Sequence, residues 1–292
     1  MNPEFLAEGA AVGDFMSPDR IVVGGIDDRS RDALADLYTS FHNATVIRTD
    51  PTTAEMIKYA ANSLLATMIS FSNEIGNLCA AVGVDSVEAL GGVHLDKRLS
   101  PMAADGSRVS PGFLSFLAAG CGFGGSCFPK DVKALIAFGH ASGSPMPVLD
   151  AVIETNERQP ARMLELLRRR VPDLEGATVA VLGMAFKPGT DDIRESPSLP
   201  VTRALLEAGA VVSAYDPIAR SKAELVFGGA VRFEDTLEDV IKDVDAILVM
   251  TRWEHFERLP ELLRQTSTSP AVIDGRRLIS KAAVENYEGI GL

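Results

Sequence analysis

The sequence predicts an α/β protein: the closing part of one α/β unit, a long central helical domain, and a carboxy-terminal doubly wound parallel sheet. Three observations predict it. Beyond Thr178, apolar runs that end in glycine or an acid alternate with helical spacing. From Thr52 to about Val82 the sequence is alanine-rich and helical without interruption. The first fifty residues hold only two short strand-like runs, too little for a self-sufficient sheet.

Taken in order, Arg20 to Gly25 reads as a short buried strand stopped by glycines, Ser30 to Phe41 as a helix, and Thr45 to Arg48 as a second strand. Thr52-Thr53-Ala54-Glu55 fits a capping box, and the helix it opens runs to Gly83. A helix of that length, on the order of 45 Å, commonly bridges domains or forms a subunit interface. Shorter helices are expected at Val84–Leu90 and Lys130–Ala141, separated by an irregular Gly-, Pro- and Ser-rich stretch, Leu95 to Gly125. A further helix from about Val148 to Arg170 leads into the last domain. There Thr178–Gly183, Val211–Asp216, Ala246–Met250 and Ala271–Asp274 read as strands, and Pro200–Gly209 as a helix. The expected domains are 1–51, 52–150 and 151–292, with a ligand crevice at the carboxyl ends of the last domain's strands.

A hydrophobic content of 46% and a charged content of 23% fit a soluble globular chain. The formal net charge of -12 argues against nucleic-acid or anionic-membrane partners, which need a basic field. No apolar run approaches bilayer length, and MNPEFLAEG lacks the features of a signal peptide. Cys79, Cys121 and Cys127 do not suggest a disulfide framework, so a cytoplasmic protein with reduced thiols is expected. The four histidines lack metal-ligand spacing, and no metal is expected.

The segment Gly120-Cys121-Gly122-Phe123-Gly124-Gly125-Ser126-Cys127-Phe128-Pro129-Lys130-Asp131 carries the chemistry. Four glycines in six positions let backbone approach a ligand and aim amide donors at it. Cys127 follows at the mouth of a helix, where the helix end and Lys130 favour thiolate. Asp131, one turn on, could position a water. For an isolated Gly-Gly-Ser-Cys, the ordinary reading is a turn before a helix with a structural cysteine.

The ten-residue string GFGGSCFPKD, however, resembles the active-site loop of the UDP-glucose and GDP-mannose dehydrogenase family. NPEFLAEG, Lys58-Tyr59-Ala60-Ala61-Asn62 and GMAFKPGTDDIRESPS resemble further family segments, in family order. The resemblance implies an NAD-dependent, two-step oxidation of a nucleotide sugar's C6 alcohol to a carboxylate, UDP-glucose being the commonest substrate. It implies a Cys127 thiohemiacetal and thioester. Lys58 and Asn62, on one helix face, would stabilise the C6 oxyanion and hold the water, with Asp131 in the water network and Glu4 as general base. Phe5, Leu6 and Ala7 would contact the sugar through backbone, and Phe116, Leu117, Ala118, Ala119, Gly120 and Gly124 would line its site. Lys187 and Arg276 match substrate positions; Glu8, Lys130 and Arg194 match cofactor positions, a guanidinium suiting the pyrophosphate. The first and last domains would then be Rossmann-like units, and the central helix would make a homodimer.

Two departures stand out. The stretch Leu95 to Leu117 is longer than its family counterpart, so the family's cross-subunit arginine matches either Arg98 or Arg108, with Arg108 favoured. The family's GxGxxG unit precedes NPEFL, whereas here only Met1 does, so most of the NAD-binding domain is expected to be missing and the chain is not expected to turn over unaided. The competing readings are a non-catalytic fragment that dimerises and binds nucleotide sugar, and one chain of a split enzyme. GDP-mannose and UDP-N-acetylmannosamine are alternative substrates.

Overall fold

The structure, a computed structural model, describes residues 1–266 and 268–292. It divides into two compact units, Met1–Leu64 and Leu65–Leu292.

In the first unit, α1 (Ala11–Met16) precedes β1 (Arg20–Gly24), α2 (Asp28–Asp36) and β2 (Thr45–Thr49). The two strands pair in parallel from Arg20↔Thr45 to Gly24↔Thr49, so α2 serves as the crossover. β-Branched residues fill β1 and are buried on both of its faces: Ile21 and Val23 pack with Ala35, and Val22 is fully buried. Asp27 and Ser30 form a capping box that closes the amino end of α2. Helix α3 (Pro51–Val82) begins one residue earlier than expected. Its cap is Asp50, whose carboxylate accepts from Thr53 N and Thr53 Oγ1, and not the Thr52–Glu55 box. The correction follows from Pro51, whose fixed φ and missing N–H suit the first helical position.

In the second unit, the rest of α3 is followed by α4 (Ser86–His94), α5 (Phe128–Ala141) and α6 (Pro147–Arg170). Then come β3 (Thr178–Leu182), α7 (Ser198–Glu207), β4 (Val211–Tyr215), α8 (Arg220–Phe227) and β5 (Arg232–Phe233). The chain continues through α9 (Leu237–Val240), β6 (Ala246–Val249), α10 (Leu259–Leu263), β7 (Ala271–Asp274) and β8 (Tyr287–Gly289). The six-stranded sheet is wholly parallel, in the order β5-β4-β3-β6-β7-β8. Both faces are covered, which is why its strands are continuous apolar runs. Val179, Val181, Leu248 and Ile273 pack with Met163, Leu167, Val201 and Leu205 on one face. Ala180, Leu182, Ile247, Val249 and Val272 pack with Leu237, Phe256 and Leu259 on the other. Strand order reverses between β3 and β6, opening a crevice at their carboxyl ends, where Gly183–Phe186 and Met250–Trp253 emerge.

Strands β5 and β8 were not expected, being only two and three residues long. A buried charge cluster ties α4 to the end of the chain. Asp85 caps Val87 N and receives Arg277 at 2.9 Å and Lys281 at 2.8 Å, while Ser86 N donates to Gly291 O.

Candidate active site

The glycine loop of the second unit is held by backbone and buried amides. Gly120 N donates to Asn73 Oδ1, and Gly120 O accepts from Gln159 Nε2, whose Oε1 accepts from Asn77. Asn156 brackets Phe123, accepting from its N–H at 2.7 Å and donating to its carbonyl at 3.0 Å. Gly125 N donates to Arg194 O at 2.8 Å, joining the loop to the segment after β3. Two glycines are required by space and conformation. A Cβ on Gly124 would lie 2.2 Å from Glu195 O, and Gly125 has φ +83° with the Phe186 ring where its Cβ would go. Glu195 itself sits at φ 52°, the left-handed region that a β-carbon disfavours, so the loop is seated against a strained neighbour.

Cys127 occupies the N-cap position of α5 and is half-buried, its Sγ 3.7 Å from Ser126 Oγ. The α5 N-terminus has no side-chain cap, so the first-turn amides lie next to the thiol. Lys130 is one turn on, with its ammonium 2.7 Å from Asp131 Oδ1; its side chain is 69% exposed and that of Asp131 only 4%. By contrast, Cys79 and Cys121 are buried, and burial pushes the Cys121 thiol up.

Around the crevice, the carboxylates at the ends of β4 and β7 organise the backbone. Asp216 accepts from Met184 N, Ala185 N, Ile218 N and Ala219 N. Asp274 accepts from Arg276 N, Ile279 N and the Tyr287 hydroxyl. Arg276 then reaches across, donating through Nε to Met250 O and through Nη1 to Gly122 O, while its buried Nη2 has no partner among the described residues. Arg276, Gly120 and Gly122 therefore share one corner of the unit. Lys187 lies beyond β3 with its ammonium 5.5 Å from the Phe186 ring centre. Arg194 forms a two-pronged pair with the buried Asp192.

The stretch before the loop is a 3-10 turn, Gly112–Phe116, and His94 Nε2 bonds Leu117 O at 2.8 Å. Leu117 and Ala119 are buried, Phe116 packs on Phe128, and Ala118 lines a hollow with Arg108 and Arg252. Arg108 Nη1 donates to Leu95 O and Ser100 O, whereas Arg98 pairs with Asp96 on the surface.

In the first unit, Glu4, Phe5 and Lys58 converge. Lys58 Nζ is 3.2 Å from Glu4 Oε1 and 5.6 Å from the Phe5 ring centre, with Arg20 over the same ring at 3.8 Å. Glu4 Oε2 accepts from Leu6 N, and Ala7 N donates to Asp14. Glu4, Phe5 and Leu6 line a hollow of about 350 Å³ with Asn2, Arg20 and Tyr38. Asn62 is buried, one turn beyond Lys58 on α3, and Glu8 is half-buried.

Sequence reasoning missed Asn73, Asn156, Gln159, Asp216 and Asp274. A signal existed for two of them. Asn156 and Gln159 fall in the stripe Val152–Asn156–Gln159–Met163, whose helical spacing puts polar groups on a buried face. Among the described residues, no group of three His, Cys, Asp or Glu side chains is placed to hold a metal ion. Among them, no helix is long and apolar enough to cross a membrane.

Comparison with known proteins addresses the same segments. Residues 52–158 match the UDP-glucose/GDP-mannose dehydrogenase family, central domain, residues 180–281 its UDP binding domain, and residues 1–42 its NAD binding domain. The chain is 44% identical to UDP-glucose 6-dehydrogenase AglM of Haloferax volcanii over 99% of its own length and 65% of that protein's. It is 41% identical to UDP-glucose 6-dehydrogenase TuaD of Bacillus subtilis, covering 99% of itself and 61% of TuaD. The solved UDP-glucose dehydrogenase of Pyrobaculum islandicum superposes with a TM-score of 0.88 at 40% identity, across 99% of this chain and 62% of that one. The chain thus spans less than two thirds of the length of each, and it belongs to the UDP-glucose/GDP-mannose dehydrogenase family.

Proposed function

We propose that the chain carries the nucleophile and the nucleotide-sugar site of an NAD-dependent UDP-glucose 6-dehydrogenase. The observation that supports this most is the Cys127 loop: a half-buried thiol at an uncapped helix N-terminus, after a glycine turn clamped by Asn73, Asn156 and Gln159. Relatives at 41–44% identity are named for UDP-glucose, and a UDP-N-acetylmannosamine dehydrogenase of Pyrococcus horikoshii is only 27% identical. The other features also fit. A thiolate beside first-turn amides is a stabilised nucleophile, and the uncommitted Arg276 Nη2 and the Lys187 ammonium suit the ligand's phosphate or sugar oxygens.

In this reading Cys127 Sγ bonds to C6 at the aldehyde level, which keeps the intermediate from leaving. It gives up that bond to water once C6 has reached the carboxylate level of oxidation. Asp131, buried beside Cys127's helix turn, orients that water. Within the first unit Glu4 and Lys58 are paired, and the family resemblance gives them the acid–base work, Glu4 as general base and Lys58 with Asn62 as stabilisers of negative charge on the C6 oxygen. Phe5 to Ala7 and Phe116 to Gly120 present main-chain groups to the sugar, and Arg108 contributes to substrate binding. The Lys130 and Arg194 side chains are 69% and 65% exposed, and Gly125 joins their segments, so their cationic ends fit the pyrophosphate of NAD, with Glu8 as a further contact. When bound, NAD supplies the hydride acceptor for both oxidations.

Helix α3 supports a homodimer, with Phe71, Leu78 and Val82 on one helix face at 50%, 58% and 63% exposure. Free cysteines fit a cytoplasmic location. The direct test is calorimetric titration of this chain with UDP-glucose and GDP-mannose. UDP-glucose should bind more tightly, and Lys187→Ala should weaken it about tenfold through loss of a charged contact. Absence of UDP-glucose binding would overturn the assignment.

A further inference from the structure

We infer that the buried Asp85–Arg277 ion pair is a positioning device, which fixes the turn after β7 so that the Arg276 guanidinium is presented to the nucleotide sugar. The inference deepens the UDP-glucose reading and rests on it for the identity of the ligand.

Arg276 and Arg277 are neighbours that serve different partners. Arg276 donates to Met250 O and Gly122 O, with its buried Nη2 left over among the described residues. Arg277 goes instead to Asp85, at the N-cap of α4 and 192 positions away in sequence. Between these two commitments the backbone is strained: Arg277 sits at φ 49°, the left-handed region that a β-carbon disfavours. Such a conformation persists only where its surroundings over-determine it, and here they do. The Asp85 and Arg277 side chains are 8% and 9% exposed and 2.9 Å apart. Ile290 O and the Tyr287 hydroxyl accept further hydrogens from Arg277. Gly289 clears the path, since a Cβ there would lie 2.7 Å from Arg277 Cδ.

The preceding residues of the turn are held as firmly. Asp274 accepts from Arg276 N, and Gly275 O accepts from Cys121 N at 2.9 Å. Asp85 opens α4, and His94 closes it and bonds Leu117 O at the entry to the glycine loop. One helix therefore braces both walls of the site, Arg276 through its amino end and the loop through its carboxyl end. Stability alone does not account for the arrangement. A buried ion pair adds little over apolar packing of the same shape, and backbone strain subtracts from that. What the pair supplies is the direction of Arg276.

The test compares Asp85→Leu with Arg277→Met, which strands no buried charge, against the parent chain. Calorimetric titration with UDP-glucose is run at a temperature where circular dichroism shows every variant folded. The double variant should bind about tenfold more weakly, the loss of roughly one charged hydrogen bond. Arg277→Lys, which keeps the charge opposite Asp85, should retain part of the affinity. In an Arg276→Ala background the double substitution should weaken binding no further, whereas a merely structural role would weaken it in both backgrounds. A second readout needs no ligand. The Arg276 Nε–H, bonded to Met250 O, should give a slowly exchanging ¹⁵N resonance in the parent and a fast one in the double variant. Equal UDP-glucose affinity in parent and double variant, or an Arg276 Nε–H that stays protected without the pair, would overturn the inference. A parent chain that binds no UDP-glucose would instead sink the nucleotide-sugar reading, with the Nε–H resonance still deciding whether the pair positions Arg276.

Discussion

Replacing Asp85 by alanine removes the charge that holds two cations at the junction of α4 and the chain's end. The Asp85 and Arg277 side chains are 8% and 9% exposed and 2.9 Å apart, so the pair is desolvated. Without Asp85, Arg277 keeps Ile290 O at 3.2 Å and the Tyr287 hydroxyl, neutral partners for a buried charge. Val87 N also loses its cap. Breaking a buried pair from one side costs about 3–5 kcal/mol, cap included. For a domain of this size that corresponds to a fall in melting temperature of roughly 6–20 °C. Asp85→Asn, which keeps the cap, should cost less, and Asp85→Leu with Arg277→Met should recover much of the loss, since no charge is then stranded. Lys281→Ala should cost only about 0.5 kcal/mol, its side chain being 48% exposed. The hydrogen bonds of Arg277, Lys281 and Val87 N hold the Asp85 carboxyl well below the usual range despite burial. A carboxylate depressed in the folded state adds stability above its unfolded pKa of about 4 and loses it as pH falls through the folded value. The gap between parent and Asp85→Asn should therefore be full at pH 7 and shrink steadily below pH 4. Calorimetric melting reads both effects. A melting temperature for Asp85→Ala within about 2 °C of the parent would refute the reasoning.

Gly124→Ala should disable the loop, because its methyl would lie 2.2 Å from Glu195 O, a backbone atom that cannot move aside; UDP-glucose binding should be lost, as calorimetry would show. Gly91→Ala, mid-helix in α4 with nothing within 4 Å of the added methyl, should instead stabilise the chain by about 0.5–1 kcal/mol in denaturant melts. Gln159→Leu strands Gly120 O and Asn77 Nδ2, and should cost about 2–4 kcal/mol and weaken UDP-glucose binding. Phe71→Glu with Leu78→Glu should shift a dimer to monomer in sedimentation while leaving the melting of the monomer unchanged.

The doubly wound unit was legible because both faces of its sheet are covered, so β3, β4, β6 and β7 announce themselves as apolar runs ended by Gly183, Asp216, Met250 and Asp274. Strands β5 and β8 were not, since two- and three-residue strands carry no period. The helix ends were legible to within a few residues, but the α3 cap was misplaced because Thr52 and Asp50 both satisfy the composition of a cap and only Pro51 decides between them. In the site, the glycines and Cys127 could be read directly. Their supports could not, because Asn73, Asn156 and Gln159 come from helices distant in sequence, and only folding reveals which buried amide meets which carbonyl.

The account's central claim is that Cys127, alone of the three thiols, is presented to a nucleotide sugar. Mass spectrometry of limited iodoacetamide labelling tests it. Cys127 should be alkylated first, Cys79 and Cys121 should stay unmodified in the folded chain, and saturating UDP-glucose should slow labelling of Cys127 severalfold. Labelling of Cys127 at the same rate with and without UDP-glucose, or no faster than that of the buried Cys121, would contradict it.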